Sequence, residues 1–588
     1  MTVRSPQASA GARERRRRGG KRRPFRHPGR WASFAAACVP VLLVFPGLSL
    51  SYVAWFGLVP AIVLFARASS TREALARGWW FGAGYLITML SWMAAEIGPG
   101  LLLIGLVAGI TWSPFAIFAR LLLGGSRRPS APGVQDTGRW PGDRAWLRYG
   151  LALIVLPATW LIPEWVRSYQ GLGGPWDLYG ASQWQHPAVL ALAAVGGIWL
   201  VSVALVIANV GLTVLLAALI PGLLTPGARP WAAGQRRPAL ASGGLAALIA
   251  AAGAGPLAFA LTPPFPVARM VTVALVQPGT VSDVALRVHA SESLTASLSK
   301  GGSLGGVTPD LIVWGESSIA EDLTLPSSAP LLHQIEALSA EDGAEIVVSQ
   351  DATPPGKGHE KWAVVVSPTG IHGIYVKTRL VPFGEYIPFR EQLSWLTSIS
   401  NAASSNMIPG TGAHVLMMTD REGRPLPVGL LVCFESAFPD MSRVDADHGA
   451  ELIVYQSSTP TFQGTWGPDQ HASLAAIRAA ETGRPVVQAA LTGDTVAFDA
   501  RGRELAWLGQ SGHGVVPVAL QLPAGTARTF YDQAGDYVLW SAVGISALAL
   551  LILGTVGMRR RNFLANNTGA GDGGAAQYDP GTGQPVTG

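Results

Sequence analysis

Charge and cysteine are what this chain is short of. Across 588 residues only 14% carry a formal charge, and only two are cysteine, Cys38 and Cys433. Two cysteines in regions of opposite character exclude a disulfide framework. The scarcity of charge, set against 49% hydrophobic residues and a mean hydropathy of +0.31, excludes an ordinary soluble protein and points to a membrane protein. One hydrophobic core does not organise a chain of this length, so two or more units are expected. The net charge of +6 does not indicate nucleic acid. The excess sits in the run from Arg13 to Arg30 and in short loops between apolar stretches, and no nucleic-acid motif accompanies it.

Residues 1–30 lack apolar periodicity and read as a disordered, basic, cytoplasmic tail. They do not read as a cleaved secretory signal, because the apolar run 31–50 leads straight into a second one. Apolar segments long enough for about 30 Å of hydrocarbon are expected at 31–50, 52–66, 79–97, 101–123, 148–166, 188–220, 239–262 and 537–557. With the arginine-rich start inside, the loops due inside carry Arg67, Arg72 and Arg77, then Arg127, Arg128, Arg139 and Arg144, then Arg229, Arg236 and Arg237. The loops due outside, 50–51, 98–100 and 168–187, hold no lysine or arginine. The expected organisation is a seven-helix membrane domain over 31–264, an extracytoplasmic block over 265–530, a C-terminal membrane helix over 531–558 and a disordered cytoplasmic tail over 559–588.

Within the polar block the pattern changes to short β-branched runs at 270–276, 310–314, 345–348, 362–366, 428–432, 452–455 and 485–489, alternating with helical stretches at 327–340 and 468–482. That alternation argues for layered α/β structure with buried sheets. Three side chains stand at the ends of expected strands, where open α/β sheets carry functional groups: Glu316, Lys377 and Cys433. Singly, a carboxylate there is a solvated terminus, a lysine a surface charge and a cysteine core packing. Jointly they make chemical sense. A thiol is mostly protonated at neutral pH and needs a base and a cation to attack. Glu316 supplies the base, while Lys377 stabilises the thiolate and, with the backbone N–H of Phe434, holds the oxyanion of a tetrahedral intermediate.

The order Glu, Lys, Cys, with about sixty residues between members, resembles the carbon-nitrogen hydrolase (nitrilase) superfamily. The run Tyr375-Val376-Lys377-Thr378-Arg379-Leu380-Val381-Pro382-Phe383-Gly384-Glu385-Tyr386-Ile387-Pro388 and the run Cys433-Phe434-Glu435-Ser436 are similar to the lysine and nucleophile motifs of apolipoprotein N-acyltransferases. Glu164-Trp165-Val166-Arg167, Gly174-Pro175-Trp176 and Gly180-Ala181-Ser182-Gln183 resemble a membrane segment of the same family, so the resemblance spans about 31–557. It implies an α/β/β/α sandwich, supporting roles for Glu385 and Glu435, and a proton shuttle at Glu316; the role expected here for Glu385 is positioning Lys377. It implies no cofactor and no metal. It implies a phospholipid acyl donor, a thioester at Cys433 and a diacylglyceryl apolipoprotein acceptor. A membrane-tethered amidase and a non-catalytic lipoprotein-binding protein are the alternative readings. The chain departs from the family at Ser457-Ser458-Thr459-Pro460-Thr461-Phe462-Gln463-Gly464, where an Asn-Asp pair and Trp-Phe-Gly are usual, and at Phe434, where tyrosine is frequent. His471 has no partner at zinc-like spacing and reads as a helix-surface or core histidine, not a base or ligand.

Overall fold

The computed structural model describes residues 27–124, 145–224, 238–281, 283–299, 307–354, 358–398 and 405–569. Most of the arginine-rich tail, the loop arginines from Arg127 to Arg144 and from Arg229 to Arg237, and the tail beyond 569 lie outside the described residues. The first half is helical: α1 (Pro28–Val44), α2 (Ser51–Ala66), α3 (Thr71–Met89), α4 (Gly100–Leu123), α5 (Ala145–Arg167), α6 (Ala193–Leu219) and α7 (Pro238–Leu261). The last helix, Tyr537–Gly569, returns to pack along α5. Five of these eight segments are long and apolar enough to cross a membrane, and the protein is a membrane protein.

Two expected helices differ in detail. The third begins at Thr71 rather than 79, because the Ser70 side chain accepts from the Glu73 N–H and caps a polar first turn that hydropathy alone passes over. The sixth is broken at Gly196 and Gly197, where Gly197 has φ of 66°. A Cβ there would stand 2.7 Å from the Tyr531 ring, so the break lets the polar block approach the helix. Farther along, α6 and α7 touch backbone to backbone: a Cβ on Gly211 would meet the Gly244 carbonyl at 2.8 Å. Small residues permit this close packing where no water drives helices together.

Among the described residues, the polar block holds twelve strands in two sheets. β1 (Val267–Gln277), β2 (Leu311–Trp314), β3 (Glu345–Ala352), β4 (Glu360–Ser367) and β5 (Gly370–Val376) form one with β12 (Gly514–Pro523), in the order β12-β1-β2-β3-β4-β5. β6 (Val415–Thr419), β7 (Pro425–Val432), β8 (Leu452–Ser457), β9 (Val486–Ala490), β10 (Thr495–Phe498) and β11 (Glu504–Leu508) form the other, in the order β11-β10-β9-β8-β7-β6. The central pairs β1/β2, β2/β3, β7/β8 and β8/β9 are parallel and the outer ones antiparallel. Parallel strands need cover on both faces. The sheets face each other across a bridge in which Gln456 Nε2 donates to the Trp314 carbonyl at 2.8 Å. Helices α8 (Val284–Ser299) and α9 (Ala329–Asp342) cover the first sheet, and α10 (Pro439–Asp447) and α11 (Gly467–Thr482) the second. This is the expected α/β/β/α sandwich.

Candidate active site

Glu316 follows β2, Lys377 follows β5 and Cys433 follows β7, so three strand ends from two facing sheets meet. Cys433 opens the short turn Cys433–Ala437 with φ of 52°, and Ser317 beside Glu316 has φ of 56°. Left-handed backbone at non-glycine residues is strained and persists where surrounding bonds overdetermine it. Lys377 is fully buried, and its Nζ stands 3.0 Å from Glu316 Oε1 and 2.6 Å from Glu385 Oε1. Glu385 Oε2 also accepts the Val381 N–H at 2.8 Å. Its carboxylate therefore fixes where the ammonium points.

Burial alone would pull an ammonium down, but the Glu316 and Glu385 carboxylates outweigh it and hold Lys377 well above the usual lysine range. Burial likewise works against the Glu316 carboxylate, yet Lys377 and then Lys361 pull it below the usual range, so the base is ionised. Burial first, then the Glu316 charge, pushes the Cys433 thiol far up despite Lys377. Two carboxylates against one ammonium leave this cluster net negative, and a third anion on sulfur is disfavoured. The Cys433 thiol is therefore held protonated and hydrogen-bonded to an ionised Glu316.

Glu435 does not touch the sulfur. It is fully buried, and Oε1 accepts from Tyr375 Oη at 2.7 Å, Thr378 N at 2.7 Å and Arg379 N at 2.9 Å, while Oε2 accepts from Val432 N at 2.7 Å. It clamps the lysine segment to the nucleophile turn. Burial raises its pKa against these four donors. The Phe434 N–H lies at the start of the turn, where 3₁₀ bonding leaves donors open. Its ring packs edge-on against Phe438 at 5.1 Å and lies where a Cβ on Gly174 would stand.

The membrane segment joins the site. Glu164 is buried and accepts from Tyr179 N at 2.7 Å and Trp160 Nε1 at 3.0 Å. Arg167 donates to the carbonyls of Trp176 at 2.7 Å and Asp177 at 3.0 Å. Taken alone, Trp165 and Arg167 read as interfacial anchors, but Arg167, together with Glu164, folds the 168–187 loop against the catalytic block. There Gln170 donates to the Leu380 carbonyl at 2.8 Å. Phe462, from the departed loop, packs edge-on against Trp92 at 4.6 Å. Lys361 went unnoticed: its Nζ donates to Ser317 Oγ at 2.7 Å and pairs with Asp351. Strand alternation puts it on the inward face with Ala363 and Val365, the one signal that marks it.

Comparison with known proteins gives matches over both halves of the chain. Residues 37–211 match the model of the apolipoprotein N-acyltransferase N-terminal domain, and residues 272–528 match that of the carbon-nitrogen hydrolases. The apolipoprotein N-acyltransferase of Allorhizobium ampelinum is 30% identical over 522 residues, covering 82% of this chain and 87% of its own. The chain belongs to the apolipoprotein N-acyltransferase family. The family's enzyme from Pseudomonas syringae pv. tomato is 28% identical over 553 residues, covering 90% of this chain and 96% of its own. Membership makes this chain an acyltransferase with a catalytic carbon-nitrogen hydrolase domain. Neither alternative reading, the tethered amidase or the non-catalytic binder, is favoured by a match to this family at both ends.

Proposed function

We propose that the chain moves an acyl group from a phospholipid to the α-amine of the N-terminal S-diacylglyceryl cysteine of a lipoprotein, through a thioester on Cys433 at the extracytoplasmic face. The observation that carries this reading is the placement of Lys377 between Glu316 and Glu385, at a nucleophile turn walled by Gly174 of the membrane half. Glu316 takes the thiol proton as sulfur attacks the ester carbonyl. Lys377 and the Phe434 N–H hold the oxyanion. The ester C–O bond breaks, and the glycerol oxygen leaves with the proton from Glu316 as a lysophospholipid. The incoming amine then attacks the thioester, Glu316 accepts its proton, the C–S bond breaks and the proton returns to sulfur. An amide and the free thiol remain.

Both substrates are lipid-anchored, and a membrane half built into the wall of the site lets them arrive in the plane of the bilayer. The test uses phospholipid labelled in its acyl chain, with and without a diacylated lipopeptide. The expected result is label in the lipopeptide as an amide. Label released only as free acid would mean hydrolysis and overturn the reading.

A further inference from the structure

His471 lies on α11, 2% exposed, and neither the proton shuttle nor the oxyanion cradle uses it. Its Nε2 stands 3.0 Å from the Cys433 carbonyl oxygen and 3.1 Å from Ser436 Oγ, and its Nδ1 stands 3.2 Å from Ser457 Oγ. A carbonyl only accepts, so Nε2 carries the hydrogen and Nδ1 accepts from the Ser457 hydroxyl. Burial holds the ring below the usual histidine range, which keeps it neutral as that division of roles requires. The backbone carbonyl of the same Ser457 accepts the Glu316 N–H at 3.1 Å. One imidazole thus ties the carbonyl of the nucleophile to the strand end that holds the base.

The ring is itself held from the membrane half. Trp176 lies flat against it, with centroids 5.6 Å apart and planes within 8°, and Trp176 Nε1 donates to Gln470 Oε1 at 3.1 Å. Trp176 rests in turn on Trp92 at 5.2 Å, and its carbonyl is held by Arg167. We propose that His471 is a positioning residue. It locks the strained Cys433 turn and the Glu316 strand end into one geometry, and the Trp176 stack makes that geometry depend on docking of the membrane half. The inference rests on Cys433 as nucleophile.

The variants separate the two ring nitrogens. A glutamine amide nitrogen reaches the place of Nε2, and an asparagine amide only that of Nδ1. Single-turnover acylation of Cys433 by phospholipid is measured on the full chain in lipid nanodiscs, per folded molecule, together with the phospholipid KM. His471→Asn and His471→Leu are expected to acylate about 10²-fold slower, the cost of a misplaced reacting group, with KM unchanged. His471→Gln is expected to recover to within about tenfold of the parent protein, having lost one hydrogen bond and the stack. Trp176→Leu should lower the rate and Trp176→Phe restore it. His471→Asn matching His471→Gln, or a loss confined to KM, would overturn the positioning role. A parent protein that forms no thioester at Cys433 would overturn the nucleophile assignment beneath it.

Discussion

Lys377 carries the electrostatics of the site because it is the cation placed between Glu316 and Glu385. Replacing it with methionine leaves the buried Glu316 and half-buried Glu385 carboxylates without the ammonium between them. Without the ammonium the carboxylate pKa values rise and the pair retains a proton, so Glu316 rests partly protonated and is less available as a base, and the thiol loses the positive charge that favours its thiolate. Since burial and the Glu316 charge already push the Cys433 thiol far up, the thiolate fraction at neutral pH is small and grows about tenfold per pH unit. Alkylation of Cys433 is therefore expected to climb with pH through the whole range from about 7 to 9 without a plateau. In Lys377→Met the profile should move higher still, and single-turnover acylation should fall by about 10² to 10³, as for loss of an oxyanion donor. Arginine should not restore it, because a broad planar fork does not fit a place shaped for a compact ammonium. An unchanged alkylation profile in Lys377→Met would show that the lysine is misassigned.

At the scale of elements, β2, β7 and β8 were the most legible, because they are buried on both faces and so write themselves as unbroken apolar runs such as Leu311-Ile312-Val313-Trp314. Glu316 and Cys433 are legible as candidates for the same reason, each following such a run, whereas Lys377 is legible through its motif. Edge strands such as β5 and β11 were not among the runs read from sequence. β5 carries Gly370, His372 and Gly373, and β11 is exposed at Glu504 and Leu505, so neither shows a clean period. The Glu435 clamp was read as a supporting residue without its geometry, because its donors come from Tyr375, Thr378 and Arg379, about sixty residues earlier. His471 reads as a helix-surface or core histidine, and it is buried. Its partners lie on β8, on the nucleophile turn and in a membrane loop some three hundred residues away, which no local spacing reveals.

For the whole molecule, the two ends of the helical bundle differ in chemistry. Arg30 and Arg77 pair with Glu73 at 3.1 Å each, Arg120 donates to the Ala68 carbonyl, and Arg148 donates to those of Leu121 and Gly124. These residues gather at the start of α1, the α2–α3 turn, the end of α4 and the start of α5. At the other end the catalytic block docks: Glu481 accepts the Ile198 N–H at 2.8 Å, Asp536 accepts from Trp199 Nε1 at 2.9 Å, and Arg501 donates to the carbonyls of Phe259 and Thr262. Basic residues stay on the cytoplasmic side, which supports an extracytoplasmic catalytic block. A reporter active only outside the cytoplasm is expected to work when fused near residue 300 and to fail when fused between residues 125 and 145; the reverse pattern would invert the topology. The most direct test of the whole account is the intact mass of the purified protein after incubation with a single defined phospholipid. The predicted result is one added acyl group, mapped to Cys433, absent in Cys433→Ala, retained in Cys38→Ala and discharged by a diacylated lipopeptide. An unmodified Cys433, or an acyl group found elsewhere on the chain, would contradict it.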